Sequence, residues 1–120
     1  MGRKYDLEDR LVVFSSSVID VVEAIPKTRI GNYIGGQLTR CGLAPALLYG
    51  EAQSAESRDD FIHKMKIALK KLKENRICLK LITMRKLVLP LENVANENEE
   101  LIAIISKSIE TARKNKASAS

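Results

Sequence analysis

GEAQSAESRDDFIHKMKIALKKLK, residues 50–73, joins two kinds of sequence. Up to Ser57 it is small and polar; beyond Arg58 it is heavily charged, with an apolar residue at every third or fourth position. Glu51, Asp59, Asp60 and His63 are the residue types of an acid–base site, in which a carboxylate orients an imidazole as general base. The same letters also spell the start of a helix. Ser57 offers an N-cap hydroxyl, and Asp59 and Asp60 stand at the positive end of the helix dipole. Asp59 or Asp60 can meet His63 on one helical face, but no recognisable nucleophile or oxyanion motif accompanies them. The helical reading is preferred: GEAQSAES connects two helices, His63 is a surface or boundary residue, and the stretch is not an active site.

Outward from this junction the chain reads as helices. Downstream, Phe61, Met65, Leu69 and Leu72 share one stripe, and Ile77, Leu81 and Met84 extend it with a slight drift. A helix over 57–86 is expected, roughly 45 Å long at 1.5 Å per residue. Upstream, RIGNYIGGQLTRCGLAPALLYGEAQ places Ile30, Ile34, Leu38, Cys41, Pro45 and Leu48 on a four-three seam despite Gly31, Gly35, Gly36 and Gly42. Each interior Gly costs ~1 kcal/mol against Ala and an interior Pro ~3 kcal/mol. The expectation is a helix over 29–49, kinked near Pro45, whose small residues admit a close neighbour. Leu7, Leu11, Phe14, Val18, Val21 or Val22, and Ile25 mark a first helix over 6–25, ended by Pro26. Leu101 or Ile102, Ile105, Ile109 and Ala112 mark a last one over 91–114, after a turn at Pro90, with a disordered tail over 115–120. No β alternation or hairpin signal of convincing length appears. Short connections make the fold class all-α, an antiparallel up-down four-helix bundle in a single domain spanning 1–120.

Composition agrees. The chain has 120 residues, 45% hydrophobic and 29% charged, and no apolar run nears the ~18 residues that span a bilayer. The N-terminus lacks the apolar core of a secretory signal, and Asp6 stands where a myristoylation motif wants Ser or Thr. A soluble, cytoplasmic protein without a membrane partner is expected. Cys41 and Cys78 belong to no Cys-x-x-Cys or zinc spacing and read as buried free thiols. YIGGQ lacks the Lys-Ser/Thr ending of a phosphate loop. Tyr33 and Tyr49 are too isolated, with aromatics at 4%, to make a stacking platform, and Tyr33 reads as helix packing. No metal or cofactor is expected.

Charge placement is more informative than the net +5. Residues 57–86 hold ten Lys or Arg against three acids. The candidate nucleic-acid-binding residues are Lys64, Lys66, Lys70, Lys71, Lys73 and Lys80, of which Lys66, Lys70, Lys73 and Lys80 are spaced to share a face. The competing reading is a solvated face that keeps the protein soluble. Lysine supplies little base readout, so such a surface would follow the phosphate backbone and be salt-sensitive.

RIGNYIGGQLTRCGLAPALLYGEAQSAESRDDFIHKMKIALKKLKENRICLKL resembles the small bacterial four-helix-bundle family, also called the ribosomal-RNA intervening-sequence protein family, and LIAIISKSIETARKN resembles its last helix. The residues matching its motif are Gly31, Gln37, Leu38, Arg40, Pro45, Glu51, Ala52, Gln53, Glu56, Ser57, Asp60, Phe61 and Lys64. Cys41 and Gly42 stand where small or hydroxyl residues are usual, and Leu47 and Leu48 make the stretch after the proline more apolar than expected; facing outward, they would suit a subunit contact. The resemblance implies an antiparallel bundle, homopentamers among its members, and no catalytic residues. It also implies kinship with the accessory protein of diversity-generating retroelements, a basic pentamer that associates with reverse transcriptase and nucleic acid. The function expected is a non-enzymatic, oligomeric scaffold that binds RNA or DNA. The alternative is an interaction module that docks a partner enzyme, such as a nucleic-acid-processing one.

Overall fold

The computed structural model describes residues 6–119, with side chains over 6–115. Four helices run α1 (Leu7–Ala24), α2 (Arg29–Gln53), α3 (Arg58–Met84) and α4 (Glu92–Ala119), with no strand among the described residues. Three starts are capped by side chains. Asp6 accepts from the Asp9 N–H at 2.8 Å, Thr28 from Gly31 at 2.9 Å and Ser57 from Asp60 at 3.0 Å, each satisfying an N–H that has no partner within its helix.

Glycine sets the α1–α2 seam. A Cβ on Gly42 would stand 2.5 Å from Val18 Cγ1, and one on Gly31 would collide with the Pro26 carbonyl. Only a residue without a Cβ lets the two backbones approach this closely. The Ser15 hydroxyl donates to the Gly42 carbonyl at 3.3 Å across the same seam. The helix continues through Pro45, whose ring is fully buried. Burial of this face offsets the poor intrinsic helicity of α2.

Contacts run from α1 to α2, α2 to α3, α3 to α4 and back from α4 to α1, with none between diagonal helices among the described residues. Val18 meets Gly42 while Ile25 meets Gly31, so α1 and α2 run in opposite directions. Glu51 reaches Lys64 in α3, and Asn98 reaches Leu72 from α4. Inside the ring lie Leu11, Phe14 and Val18 of α1, Leu38 of α2, Met65, Leu72 and Ile82 of α3, and Leu101 and Ile105 of α4.

Several expectations are corrected. α2 continues to Gln53 instead of ending near residue 49, because Ala52 is buried and Glu51 is held by Lys64; GEAQ is the last turn of α2, and the connection shrinks to 54–57. α3 ends at Met84, before residue 86. Lys86 takes a left-handed backbone (φ 56°), its N–H bonding the Thr83 carbonyl while that of Leu87 bonds Ile82. This is a Schellman stop with lysine where glycine is usual. α4 is helical to Ala119, so the tail expected to be disordered is helical over 115–119; Ser120 and Met1–Tyr5, including Gly2, lie outside the described residues.

The α3 register also differs. Ile77, Leu81 and Met84 are 59%, 45% and 79% exposed, and the buried seam after Leu72 runs Asn75, Leu79 and Ile82. Asn75 occupies a core position, which hides the true stripe from a search for apolar residues. Ile30 and Tyr33 are likewise exposed. The Tyr33 hydroxyl accepts from Gln37 at 3.1 Å instead of packing between helices.

Candidate nucleic-acid interface

At 100° per residue, Lys66, Lys70 and Lys73 project from α3 opposite its buried face, and all three are exposed. They cover about 10 Å of helix axis. None of the ion pairs among the described residues occupies them. Lys80 lies about 10 Å further along, at the edge facing α4, where its charge helps lower the Glu99 carboxyl below its usual range.

The other two candidates point elsewhere. Lys64 is half-buried and bonds Glu51 Oε1 at 2.8 Å, an ion pair that raises its own pKa. Lys71 is half-buried on the α2 side and pairs with Glu74 at 3.4 Å. The six lysines therefore divide into an open outer row and two flank residues engaged by carboxylates. The pairing of Lys64 with Glu51, 13 positions away, was not readable from helix periodicity, which registers only neighbours along one helix.

The motif residues have structural placements. Ser57 caps α3, with half-buried Asp60 supplying the capped N–H. Glu51 ties the end of α2 to α3, and Pro45 is buried in the α2 seam. Gln53 is exposed in the last turn of α2. Gln37 and Arg40 line a groove of about 450 Å³ between α2 and α3, together with Lys71, Glu74 and both cysteines. His63 is exposed in the second turn of α3.

Four features escaped the sequence reading. Ile77, Leu81 and Met84 continue the outer face beyond Lys73, so the exposed side of α3 is basic in its first half and carries an apolar strip beside Lys80 in its second. A groove of about 550 Å³ lies between α3 and α4, lined by Leu79, Thr83, Met84 and Ala95 and edged by Arg76, Lys80 and Glu99. Arg76 and Glu99 form a two-bonded pair at 2.8 and 2.9 Å that raises the arginine and lowers the carboxyl. Arg10 closes the ring by bonding Glu97 at 2.7 and 2.8 Å and Glu100 at 2.6 Å.

The fold is shared with a known protein. A crystal structure of a protein of unknown function from the S23 ribosomal protein family of Bacteroides thetaiotaomicron superposes with a TM-score of 0.81 at 24% identity, over 87% of this chain and 98% of that one. The four-helix architecture of that protein is the architecture of this one. No family model matches the chain, and no curated protein does. Among the described residues no helix is long and apolar enough to cross a membrane.

Proposed function

We propose that this protein is a cytoplasmic, non-enzymatic scaffold that self-associates, as a pentamer on the resemblance to the intervening-sequence family, and binds RNA or DNA along its phosphate backbone. The observation that carries the reading is the outer row of Lys66, Lys70 and Lys73, exposed and outside every ion pair among the described residues. Cations held this way are free to replace the counterions of a polyanion, and five copies would carry a formal charge of about +25. Lys80 extends the row; Lys64 and Lys71 contribute field more than contact.

The test is binding to labelled structured RNA and to duplex DNA across a salt titration, with oligomer mass measured in the same buffer. Log affinity should fall steeply with log salt. Replacing Lys66, Lys70 and Lys73 together by Gln should reduce the slope on duplex DNA by about 2–3, near 0.9 per lost phosphate contact. Absence of binding at low salt by a well-formed oligomer would sink the proposal.

A second reading has its own observation. Ile77, Leu81 and Met84, at i, i+4 and i+7, form an apolar strip that suits a docking partner such as a nucleic-acid-processing enzyme. On that reading the triple Gln variant keeps its partner, while Leu81→Lys with Met84→Lys loses it.

A further inference from the structure

Cys41 of α2 and Cys78 of α3 are 37 positions apart, yet the antiparallel packing of these helices brings them to one place. Both line the groove of about 450 Å³ between α2 and α3; Cys41 is buried and Cys78 half-buried. The Cys41 sulfur lies 4.0 Å from the Leu38 carbonyl of its own helix, long even for sulfur, and shares the groove with Cys78 across the seam. The neighbouring Cys41 side chain brings the Cys78 pKa down to about 7, against the opposing effects of burial and of Glu74. Cys41 moves the other way, held protonated first by its neighbour and then by burial. One sulfur is thus the more exposed and more acidic, with a protonated partner behind it, the arrangement of an attacking and a resolving thiol. Arg40 and Lys71 flank the groove with positive charge, one of them balanced by Glu74.

We propose that Cys41 and Cys78 form a redox-active dithiol that takes a small, carboxylate-bearing disulfide as its oxidant. The Cys78 thiolate attacks one sulfur of that disulfide and expels the other as a thiolate, giving a mixed disulfide. Cys41 then attacks the Cys78 sulfur and expels the second small thiolate, and its proton goes to a leaving thiolate. Two protein thiols lose two electrons in total, and one small disulfide becomes two thiols. The Cys41–Cys78 bond would clamp α2 to α3 beside the basic face, and excess dithiol reductant would reverse it. Neither sulfur belongs to a Cys-x-x-Cys motif, so the site exists only through the packing of two helices.

The probe is oxidised glutathione, added to the folded 120-residue chain, with acid-quenched samples followed by intact mass and by non-reducing peptide mapping. A transient single glutathione adduct should convert to a species two hydrogens lighter than the reduced protein, with Cys41 and Cys78 in one cross-linked peptide pair. The midpoint of thermal unfolding should rise by roughly 10 °C, since the bond closes a long loop. Cys41→Ala should stop at the stable adduct, and Cys78→Ala should react at least tenfold more slowly than the wild type. Wild-type protein that keeps its adduct, gains two adducts, forms disulfide-linked dimers, or stays reduced while helical by circular dichroism would overturn the proposal. The wild-type readouts decide the matter even where a cysteine variant fails to fold.

Discussion

The α1–α2 seam and the α3–α4 seam solve the same packing problem with different chemistry. Between α1 and α2 the contact is close and mostly apolar, with glycines admitting Val18, Val22 and Ile25 to the backbone. Between α3 and α4 the long helices stand around a groove, the Arg76–Glu99 pair bridges them at the surface, and Asn98, fully buried, donates to the Leu72 carbonyl at 2.9 Å. Asn75 of α3 is buried as deeply, and neither polar atom of its amide has a hydrogen-bond partner among the described residues. The first seam is specified by shape and leaves no room for added atoms. The second is specified by polar register, and one of its two helices, α3, bears on its outer face the lysine row on which the proposed function rests.

The largest effect should come from filling the glycine seam. Gly31→Ala drives a methyl into the backbone carbonyl of Pro26, which has no rotamer to escape into, and should cost about 3 kcal/mol in urea unfolding. Gly42→Ala meets the side chain of Val18, which can shift. It should cost about 1–2 kcal/mol after the ~1 kcal/mol gained in helix propensity. Neutral outcomes for both would mean that the seam is looser than its geometry.

The polar seam should respond in the opposite direction. Asn75→Leu removes two unpartnered buried polar atoms at nearly constant volume and should stabilise the fold by about 1 kcal/mol; Asn98→Leu gives up the bond to Leu72 and should cost about 1 kcal/mol. Destabilisation by Asn75→Leu would show that its amide is satisfied in solution by something outside the chain. Where α3 turns toward α4, Lys86→Gly should gain roughly half a kcal/mol, because glycine bears no Cβ penalty at φ 56°. A loss of stability there would assign Lys86 a contact worth more than its strain.

The smallest expected effect is on pH. Arg76 holds the Glu99 carboxyl below its ordinary value, so the pairing favours the folded state at neutral pH. That contribution should fade as acid lowers the pH through the folded-state pKa, below the ~4.3 of a free glutamate. Unfolding free energies of wild type and Glu99→Gln should differ only slightly at pH 7, the half-exposed pair being screened by solvent, and should converge as the pH falls through the folded-state pKa. A gap that persists once the carboxyl is protonated would indicate that the substitution acts through packing.

Legibility from sequence divides along the same line. The α1 stripe was readable residue by residue, because Leu11, Phe14, Val18, Val21 and Ile25 are apolar and buried. The Ser57 cap was readable because capping is local, and the glycines of α2 signalled close approach without naming Val18. In α3 the core passes through an asparagine, so the apolar pattern alone led outward to Ile77 and Met84. The candidate lysines were countable, but their division into open and engaged sets depends on Glu51 and Glu74, and only folding brings Glu51 to α3. The meeting of Cys41 with Cys78 likewise depends on the register between two helices.

Arg10 carries a consequence for kinetics. Neighbouring helices meet through short connections, whereas the links from Arg10 to Glu97 and Glu100 join residues 87 and 90 positions apart. Loop-closure entropy disfavours such distant contacts early in folding. On that ground α1 should dock onto α4 after the three successive helical hairpins have formed, and removing the Arg10 cluster should speed unfolding while leaving the refolding rate nearly unchanged.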